Sequence, residues 1–314
     1  MERIEIAFAF NLNYYWGACV TATSIVVNAS KDLLLSFNLL LDNVPTEYVT
    51  RLEKRLKELN PNVVCKAYDI SLKTFEKYPT LHGNHVTYAR LLLPELMPES
   101  DYVIYCDVDF LWRADIGELW AQRNENVILQ GVLEGPNIEQ EGIWFKERGL
   151  TFNPQSYICA GLCFFNLALM RKEKSIDTMF AFLQSHPDVR MHDQTTLNAC
   201  FVNRIRMLPS KWMTYEISDS FKETDKNVLH YSGGSAPWIT PRGLHTQRWW
   251  RAYFCWHSYS KLYFLCTNWA TIRKANSFFK TILIFVFYFL IKIHFYNSVI
   301  PLLFAIKGHC SGKH

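Results

Sequence analysis

The sequence contains no Cys-x-x-C pair, and its nine cysteines are scattered through 314 residues. An odd and dispersed set of cysteines argues against a disulfide framework and against a structural zinc site. We therefore expect reduced thiols, as in a cytosolic protein. With 13 glycines and 12 prolines, the chain also lacks the composition of collagen or of a low-complexity protein. Hydrophobic residues make up 49%, which is enough for one large or two smaller folded domains.

Acidic residues are absent from residues 226–314, although this stretch holds eleven Lys or Arg and 20 of the 48 aromatic residues. Residues 1–225 carry a net charge of about −7, so the overall charge of +4 conceals a strong asymmetry. A block that is both basic and aromatic predicts contact with an anionic surface, either lipid or nucleic acid.

Residues 278–306 favour lipid over nucleic acid, because large apolar residues dominate them. Their longest uninterrupted apolar run, 281–291, has 11 residues, whereas a membrane-spanning helix needs about 20. With lysines at its ends, the segment is typical of a helix that lies on a membrane surface. A spanning helix and a buried core helix stay open as alternatives. We accordingly divide the chain into a folded domain, 1–258, and a basic, hydrophobic membrane-association segment, 259–314.

The first part of the chain alternates between strands and helices. Apolar strands are predicted over 4–10, 33–41, 62–68 and 102–106, and helices over 19–29, 46–59 and 86–93. Thr46 is the predicted cap of the second helix, and Pro94 the predicted end of the third. Because strand 4–10 begins so near the first residue, we expect no signal peptide and no secretion. The alternation implies an α/β fold with a parallel, doubly wound sheet.

Further strands are predicted beyond residue 110, over 127–132, 160–166 and 228–231, together with a helix that starts near Asp193. The most conspicuous polar pattern is Asp107-Val108-Asp109, directly after the buried strand 102–106. Residues two apart in an extended chain project to the same side, so both carboxylates can bracket one Mg²⁺ or Mn²⁺ ion. The alternative is a solvated strand end, because this short pattern also arises by chance.

Two later positions are further candidates for chemistry. His230 follows an apolar strand and precedes the glycine-rich loop 232–235, so its imidazole could complete a metal site with the two aspartates. A histidine that is simply buried in the core is the alternative. Asp193 and Gln194 open a helix, where Asp193 acts either as an ordinary N-cap or, with Gln194, as part of a ligand pocket.

These elements occur in one order along the chain. They are Asn11-Leu12-Asn13-Tyr14, Thr87-Tyr88-Ala89-Arg90, Tyr105-Cys106-Asp107-Val108-Asp109, Ala160-Gly161-Leu162, Asp193-Gln194, and His230-Tyr231-Ser232-Gly233 with Pro237-Trp238. The ordered set resembles the retaining glycosyltransferase family 8, especially the bacterial galactosyl- and glucosyltransferases of lipopolysaccharide and lipo-oligosaccharide cores. The resemblance covers roughly residues 3–258.

The resemblance implies a GT-A fold with a Rossmann-like nucleotide-binding sheet, a UDP-sugar donor and a Mn²⁺ (or Mg²⁺) ion. The positions that match the family's metal ligands are Asp107, Asp109 and His230. The positions that match its donor-binding residues are Phe8, Ala9, Asn13, Tyr14, Arg90, Asp107, Val108, Asp109 and Gly233. Asp193 matches a donor-sugar contact, and Gln194 matches the residue at the reacting face of the anomeric carbon.

The resemblance also implies the reaction. It is transfer of galactose or glucose to a hydroxyl of a lipid-linked oligosaccharide, with retained configuration, at the cytoplasmic face of the bacterial inner membrane. The departing phosphate can take the acceptor's proton, so no strong base is needed. We favour this front-face route over double displacement, because Gln194 is a poor nucleophile and Asp193 is the single nearby carboxylate of the pattern.

Three positions depart from the family pattern. Asn11 replaces an Asp that contacts the base, Cys159 replaces an Asn that contacts the donor, and Ala236 replaces the lysine that holds the diphosphate. Lys211 and Arg242 are candidate substitutes for that lysine. The departures leave an alternative function open: a catalytically degenerate, membrane-attached protein that binds a UDP-sugar or a glycan.

Overall fold

The computed structural model describes residues 1–80, 83–215 and 228–232. All of them lie within the predicted domain 1–258. The segment 259–314 lies outside the described residues, as do Gly233, Ala236 and Arg242. No helix in the described part of the chain is both long enough and apolar enough to cross a membrane.

The chain forms an α/β structure. The strands are β1 (Arg3–Asn11), β2 (Leu34–Asp42), β3 (Val63–Asp69), β4 (Tyr102–Cys106), β5 (Phe110–Leu111), β6 (Leu129–Leu133), β7 (Ile158–Asn166), β8 (Ile205–Met207), β9 (Thr214–Tyr215) and β10 (Leu229–His230). The α-helices are α1 (Tyr15–Asn28), α2 (Thr46–Leu59), α3 (Leu93–Leu96), α4 (Ile116–Trp120), α5 (Ile138–Glu147), α6 (Leu167–Lys172), α7 (Ser175–Ser185) and α8 (His192–Cys200). Short 3₁₀ helices cover Leu12–Tyr14, Lys73–Phe75, Val86–Leu92 and Ser210–Trp212.

The main sheet has seven strands in the order β3-β2-β1-β4-β7-β6-β8. Strands β3, β2, β1 and β4 are mutually parallel, as the alternation of strands and helices predicts. Strand β7 runs antiparallel to both of its neighbours, β4 and β6. Its nine residues are all buried, and a uniformly apolar strand gives no indication of its direction in the sheet.

Both faces of the sheet are covered, which explains the continuous apolar run of β1. Phe8 and Phe10 lie in one core, which α1 and α2 close, whereas Ala7 and Ala9 lie in a second core with Tyr88. A strand buried on both faces has little room for polar side chains except at its ends. The carboxyl ends of the parallel strands are therefore where polar groups concentrate.

Three details of the sequence prediction are wrong. Thr46 is the first residue of α2 and makes no side-chain cap, since Pro45 occupies the N-cap position. Pro94 does not end a helix but lies in the first turn of α3, where its missing N–H has no helical partner to lose. Asp193 is not an N-cap either, because α8 begins at His192 with Met191 as the cap.

A second, three-stranded sheet has the order β5-β10-β9. Strand β10 pairs antiparallel with β5 and parallel with β9. Because β5 follows β4 after a short turn, this small sheet carries β10 to the carboxyl end of the main sheet.

Candidate active site

The aspartate pair lies in the turn between β4 and β5. The backbone N–H of Asp107 donates to the carbonyl of Gly161 at 2.8 Å, which ties the turn to β7. The hydroxyl of Thr21 donates to the carbonyl of Val108 at 2.9 Å, which ties it to α1. The side chains of Asp107 and Asp109 keep 28% and 24% exposure, so both carboxylates remain open to a ligand.

The small sheet positions His230. Its register places His230 opposite Phe110 on one side and Tyr215 on the other. The imidazole stacks on the ring of Phe110 at 4.2 Å and on that of Tyr215 at 5.4 Å. Its Nε2 atom lies 3.5 Å from Oδ1 of Asp109. The imidazole lies between the two rings, and the structure brings the three residues of the predicted triad together.

The triad is suited to a divalent cation. One potential ligand atom from each of Asp107, Asp109 and His230 lies within 4.8 Å of the others. Within the described residues, the buried atoms Oδ1 of Asp109 and Nδ1 of His230 have no hydrogen-bond partner. Two carboxylates and an imidazole nitrogen are a ligand set that suits Mn²⁺ or Mg²⁺.

Gly161 leaves space beside the triad. A Cβ atom at this position would lie 3.0 Å from Cε1 of His230 and 3.1 Å from Oδ2 of Asp107. Both distances are shorter than ordinary contacts, so any side chain would press on two of the three candidate ligands. Because Gly161 has no side chain, β7 can lie close to the triad.

Burial and neighbouring charges shift the pKa values of the triad. Burial raises the pKa of Asp107 to about 6; the Arg90 guanidinium opposes this shift, and the Asp109 carboxylate adds to it. For His230, burial disfavours the charged imidazolium, but the adjacent carboxylates, Asp109 first, raise its pKa above the ordinary value.

Arg90 connects the triad to α8. It is 2% exposed, and its Nη2 atom lies 2.8 Å from Oδ1 of Asp107, while its Nε atom lies 3.0 Å from Oδ2 of Asp193. Its guanidinium also stacks on the ring of Tyr105 at 4.1 Å. A buried cation with two carboxylate partners is firmly held. Arg90 therefore fixes the distance between the candidate metal site and Asp193.

Gln194, next along α8, is held at both ends of its amide. Its Oε1 atom accepts from the backbone N–H of Ala160 at 2.9 Å, and its Nε2 atom donates to Oε2 of Glu134 at 3.2 Å. Asp193 and Gln194 are 4% and 6% exposed, so the first turn of α8 is buried at the edge of the sheet that carries the triad.

Two residues of this cluster, Glu134 and Tyr215, are not among those predicted from the sequence. Glu134, which follows β6, is 3% exposed and accepts from Gln194 and, at 3.1 Å, from the hydroxyl of Tyr215. Tyr215 in turn stacks on His230. A carboxylate directly after an apolar strand is the signal that identifies Asp107, and the same signal could have found Glu134. Nothing in the sequence distinguishes Tyr215 from other aromatic residues.

The predicted uridine-binding residues lie at the end of β1, with different exposure. The side chain of Phe8 is fully buried against Phe37, so its backbone alone is available to a ligand. Ala9 is 6% exposed, whereas Asn13 is exposed. Burial raises the pKa of the half-buried Tyr14, and the charges of Asp109 and Asp107 add to this shift.

The other predicted positions are either buried or already engaged by another side chain. The side chain of Val108 packs in the core at 5% exposure. Cys159 is buried, and its Sγ atom accepts from the N–H of Gly161 at 3.4 Å. The Nζ atom of Lys211 lies 3.2 Å from Oε2 of Glu118, so an acidic partner already engages this candidate substitute. The six cysteines in the described ranges are free thiols.

Open α/β sheets bind their ligands at the carboxyl ends of strands, and this edge carries the triad, Arg90 and the first turn of α8. The arrangement is typical of a nucleotide-binding α/β enzyme. The model of glycosyl transferase family 8 matches residues 5–240, and the chain belongs to this family. It is therefore a glycosyltransferase, and the predicted family resemblance is confirmed.

Known proteins agree with this assignment. The lipopolysaccharide 1,2-glucosyltransferase of Escherichia coli (strain K12) is 23% identical over 255 residues, covering 76% of this chain and 73% of that protein. The structure of galactosyltransferase LgtC with donor and acceptor sugar analogues has a TM-score of 0.68 at 22% identity, covering 80% of this chain and 95% of LgtC. The bifunctional glycosyltransferase WbbM has a TM-score of 0.69 at 23% identity, covering 80% and 50%. The shared fold confirms the GT-A-like α/β architecture.

Proposed function

We propose that this glycosyltransferase moves galactose or glucose from a UDP-hexose to a hydroxyl group of a lipid-linked oligosaccharide, with retention of the anomeric configuration. The observation that carries the proposal is the buried connection from the triad through Arg90 to Asp193. It joins a candidate site for the diphosphate to a candidate site for the sugar. The names of the E. coli glucosyltransferase and of LgtC with its sugar analogues support this substrate class.

Asp107, Asp109 and His230 would hold Mn²⁺ or Mg²⁺. When bound there, the cation supplies positive charge that offsets the charge of the departing diphosphate. Phe110 and Tyr215 fix the orientation of the imidazole, and Arg90 keeps Oδ1 of Asp107 engaged. These contacts hold the acidic pair in place before the donor arrives, so little reorganisation accompanies binding.

Asp193 and Gln194 are placed to meet the hexose. The ion pair with Arg90 holds the Asp193 carboxylate as an acceptor for sugar hydroxyls and lowers its nucleophilicity. Double displacement through Asp193 is therefore disfavoured. In the front-face route, the acceptor hydroxyl attacks the anomeric carbon as the bond to UDP breaks, and its proton passes to the departing phosphate. Gln194 stabilises positive charge on the sugar with its amide oxygen and needs no change of protonation.

The predicted membrane-association segment, 259–314, would keep the enzyme beside its acceptor. A basic and aromatic segment that lies on the cytoplasmic face of the inner membrane would keep the domain near lipid-linked oligosaccharides. This peripheral attachment is inferred from the composition of residues 259–314.

The proposal is tested by UDP release from a panel of UDP-sugars in the presence of Mn²⁺. We expect turnover with UDP-galactose or UDP-glucose that the substitution Asp109→Ala abolishes. Asp101→Ala is the matched control. The Asp101 side chain is 76% exposed, pairs with Arg171, and lies at the opposite end of β4 from the triad. UDP binding without turnover, even with a lipid-linked acceptor added, would instead support the binding-protein alternative. An absence of UDP binding would contradict both.

A further inference from the structure

Glu134 is a buried carboxylate with an unusual set of partners. It is 3% exposed, and within the described ranges no Lys, Arg or His forms an ion pair with it. Its charge is met instead by hydrogen bonds from neutral groups. Burying a carboxylate in this way is costly, so the arrangement calls for an explanation beyond packing.

The acceptor positions of Glu134 are filled by the protein. Oε2 accepts from Nε2 of Gln194 at 3.2 Å and from the hydroxyl of Tyr215 at 3.1 Å. Oε1 accepts from the backbone N–H of Asn137 at 3.4 Å and from its Nδ2 at 3.3 Å. A carboxylate has about four acceptor positions in total. Glu134 is therefore occupied and is not free to take a proton from a substrate.

The same contacts determine which end of the Gln194 amide is the oxygen. A glutamine amide has two ends of similar shape, one a donor and one an acceptor. The N–H of Ala160, which can only donate, faces one end at 2.9 Å, and the Glu134 carboxylate, which can only accept, faces the other. Reversing the amide would bring its NH₂ group against the N–H of Ala160, which is also a donor. It would bring its oxygen against the Glu134 carboxylate, which is also an acceptor. One lone pair on Oε1 remains available.

We propose that Glu134 is a positioning residue for Gln194: it fixes the orientation of the amide and, through a charge-assisted hydrogen bond, makes Oε1 more negative. Donation from Nε2 to a carboxylate shifts electron density toward the oxygen. In the reaction proposed above, on which this inference rests, that oxygen stabilises positive charge on the hexose. Glu134 thus acts on the transition state through Gln194, without touching the donor.

The test is an exchange of the two side chains between their positions. Glu134→Gln removes the charge, and Gln194→Glu sets two carboxylates against each other, so each single variant should lose melting temperature and turnover. The double variant Glu134→Gln/Gln194→Glu restores an amide-to-carboxylate hydrogen bond with the roles reversed. We expect its melting temperature to return close to that of the wild type, and its kcat for UDP release to rise about tenfold or more above Gln194→Glu.

For Glu134→Gln alone, we expect kcat to fall roughly tenfold to a hundredfold while KM for the UDP-hexose stays within about threefold. Glu5→Gln is the matched control. Glu5 lies in the first half of β1, is 8% exposed, receives a hydrogen bond from Asn38 at 2.7 Å and forms an ion pair with Arg3 at 2.5 Å. This control should lower the melting temperature and leave kcat within about threefold.

The inference is overturned if the double variant melts no higher than Gln194→Glu, a result that needs no activity. It is also overturned if Glu134→Gln raises KM with kcat unchanged, which would indicate direct donor contact, or if Glu5→Gln lowers kcat equally. Failure of the proposed function gives a different result, because the wild type would then release UDP from no UDP-hexose.

Discussion

The two oxygens of Asp107 have different surroundings. Oδ1 accepts from Arg90 at 2.8 Å and from the hydroxyl of Tyr105 at 3.0 Å. Oδ2 lies on the side of Gly161, where the glycine leaves room beside His230. Since Oδ1 is engaged by two donors, Oδ2 is the oxygen that Asp107 would offer to a cation in the proposed site.

Substituting Gly161 should therefore impair metal binding more than folding. In Gly161→Ala, the new methyl group would lie about 3 Å from both His230 and Asp107, so one ligand must move. We expect Mn²⁺ affinity to fall about tenfold or more, since supporting contacts of metal ligands typically carry effects of this size. Mn²⁺ titration followed by electron paramagnetic resonance measures this directly.

A matched control for that substitution is Gly149→Ala. A Cβ atom at Gly149 meets nothing within 4 Å, although its φ of +64° makes the backbone unfavourable for alanine. This variant should lose stability and retain Mn²⁺ affinity. Equal affinity in Gly161→Ala and the wild type would show that the triad does not depend on the glycine.

Metal binding should weaken in acid. A cation needs Asp107 ionised and His230 neutral, and the pKa of each is raised, that of Asp107 to about 6. As the pH falls, protons therefore compete with the metal first at His230, whose raised pKa lies above the ordinary value of about 6.5, and then at Asp107 as the pH passes about 6. Mn²⁺ titrations between about pH 5 and about pH 8 test this sign. An affinity that is constant or that increases toward low pH would contradict the assignment of these ligands.

At the scale of elements, α8 begins with a strained backbone conformation, which hydrogen bonds from neighbouring residues hold in place. His192 adopts a φ of +56°, a left-handed conformation that is unfavourable for a residue with a side chain. The Thr195 hydroxyl accepts from the backbone N–H of Met191 at 2.8 Å and donates to Oε2 of Glu141 at 2.8 Å. This bridge joins the start of α8 to α5 and so keeps Asp193 and Gln194 in place.

Removing the bridge should destabilise the domain. Thr195→Val preserves shape but leaves the Met191 N–H and a buried carboxylate oxygen without this partner, so we expect a loss of about 1–3 kcal/mol in the free energy of unfolding. Thr196→Val is the control, because the equally buried Thr196 hydroxyl donates within its own helix, to the carbonyl of His192 at 3.0 Å. Urea denaturation of both variants checks the difference. Equal losses would mean that the bridge has no special role.

The sequence predicts most elements and fewer of their details. Strands β1 to β4 and helix α2 follow from hydrophobic periodicity, which is a local property. The strand β10 is predicted too, but the direction of β7 and the sheet that β10 joins depend on pairing with distant strands. The role of Pro94 depends on where the next helix begins, since proline is as suitable in a first turn as after a last one.

At the scale of the whole molecule, the site joins residues from across the described chain. Asp107, Asp109 and His230 could be predicted because two of them are neighbours in sequence and the ordered motifs resemble a known family. Glu134 could have been found from its place directly after an apolar strand, but its contacts with Gln194 and Tyr215 could not, because they form only in the folded domain.

Attachment of the full chain to membranes should depend on charge. The segment 259–314 carries no acidic residue, so we expect the protein to cosediment with vesicles that contain phosphatidylglycerol and to bind less to purely zwitterionic vesicles. Replacing Lys280, Lys292 and Lys307 together with glutamine should weaken binding to the anionic vesicles, since each lysine near such a surface contributes about 1 kcal/mol.

The control for this prediction replaces three exposed lysines of the folded domain, Lys66, Lys146 and Lys172, with glutamine. These substitutions change the net charge equally and should leave vesicle binding almost unaltered. If both triple variants bind alike, the attraction is a property of the overall charge, and the tail is not the attachment segment.

The most direct test of the account measures UDP binding by isothermal titration calorimetry, with Mn²⁺ and with EDTA, for the wild type and for Asp109→Asn. In the proposed site, Asp107, Asp109 and His230 hold a cation that binds the diphosphate. We therefore predict that UDP binds at least about tenfold more weakly in EDTA, and that Asp109→Asn removes most of this dependence on metal. Equal UDP affinity under all four conditions would contradict the claim.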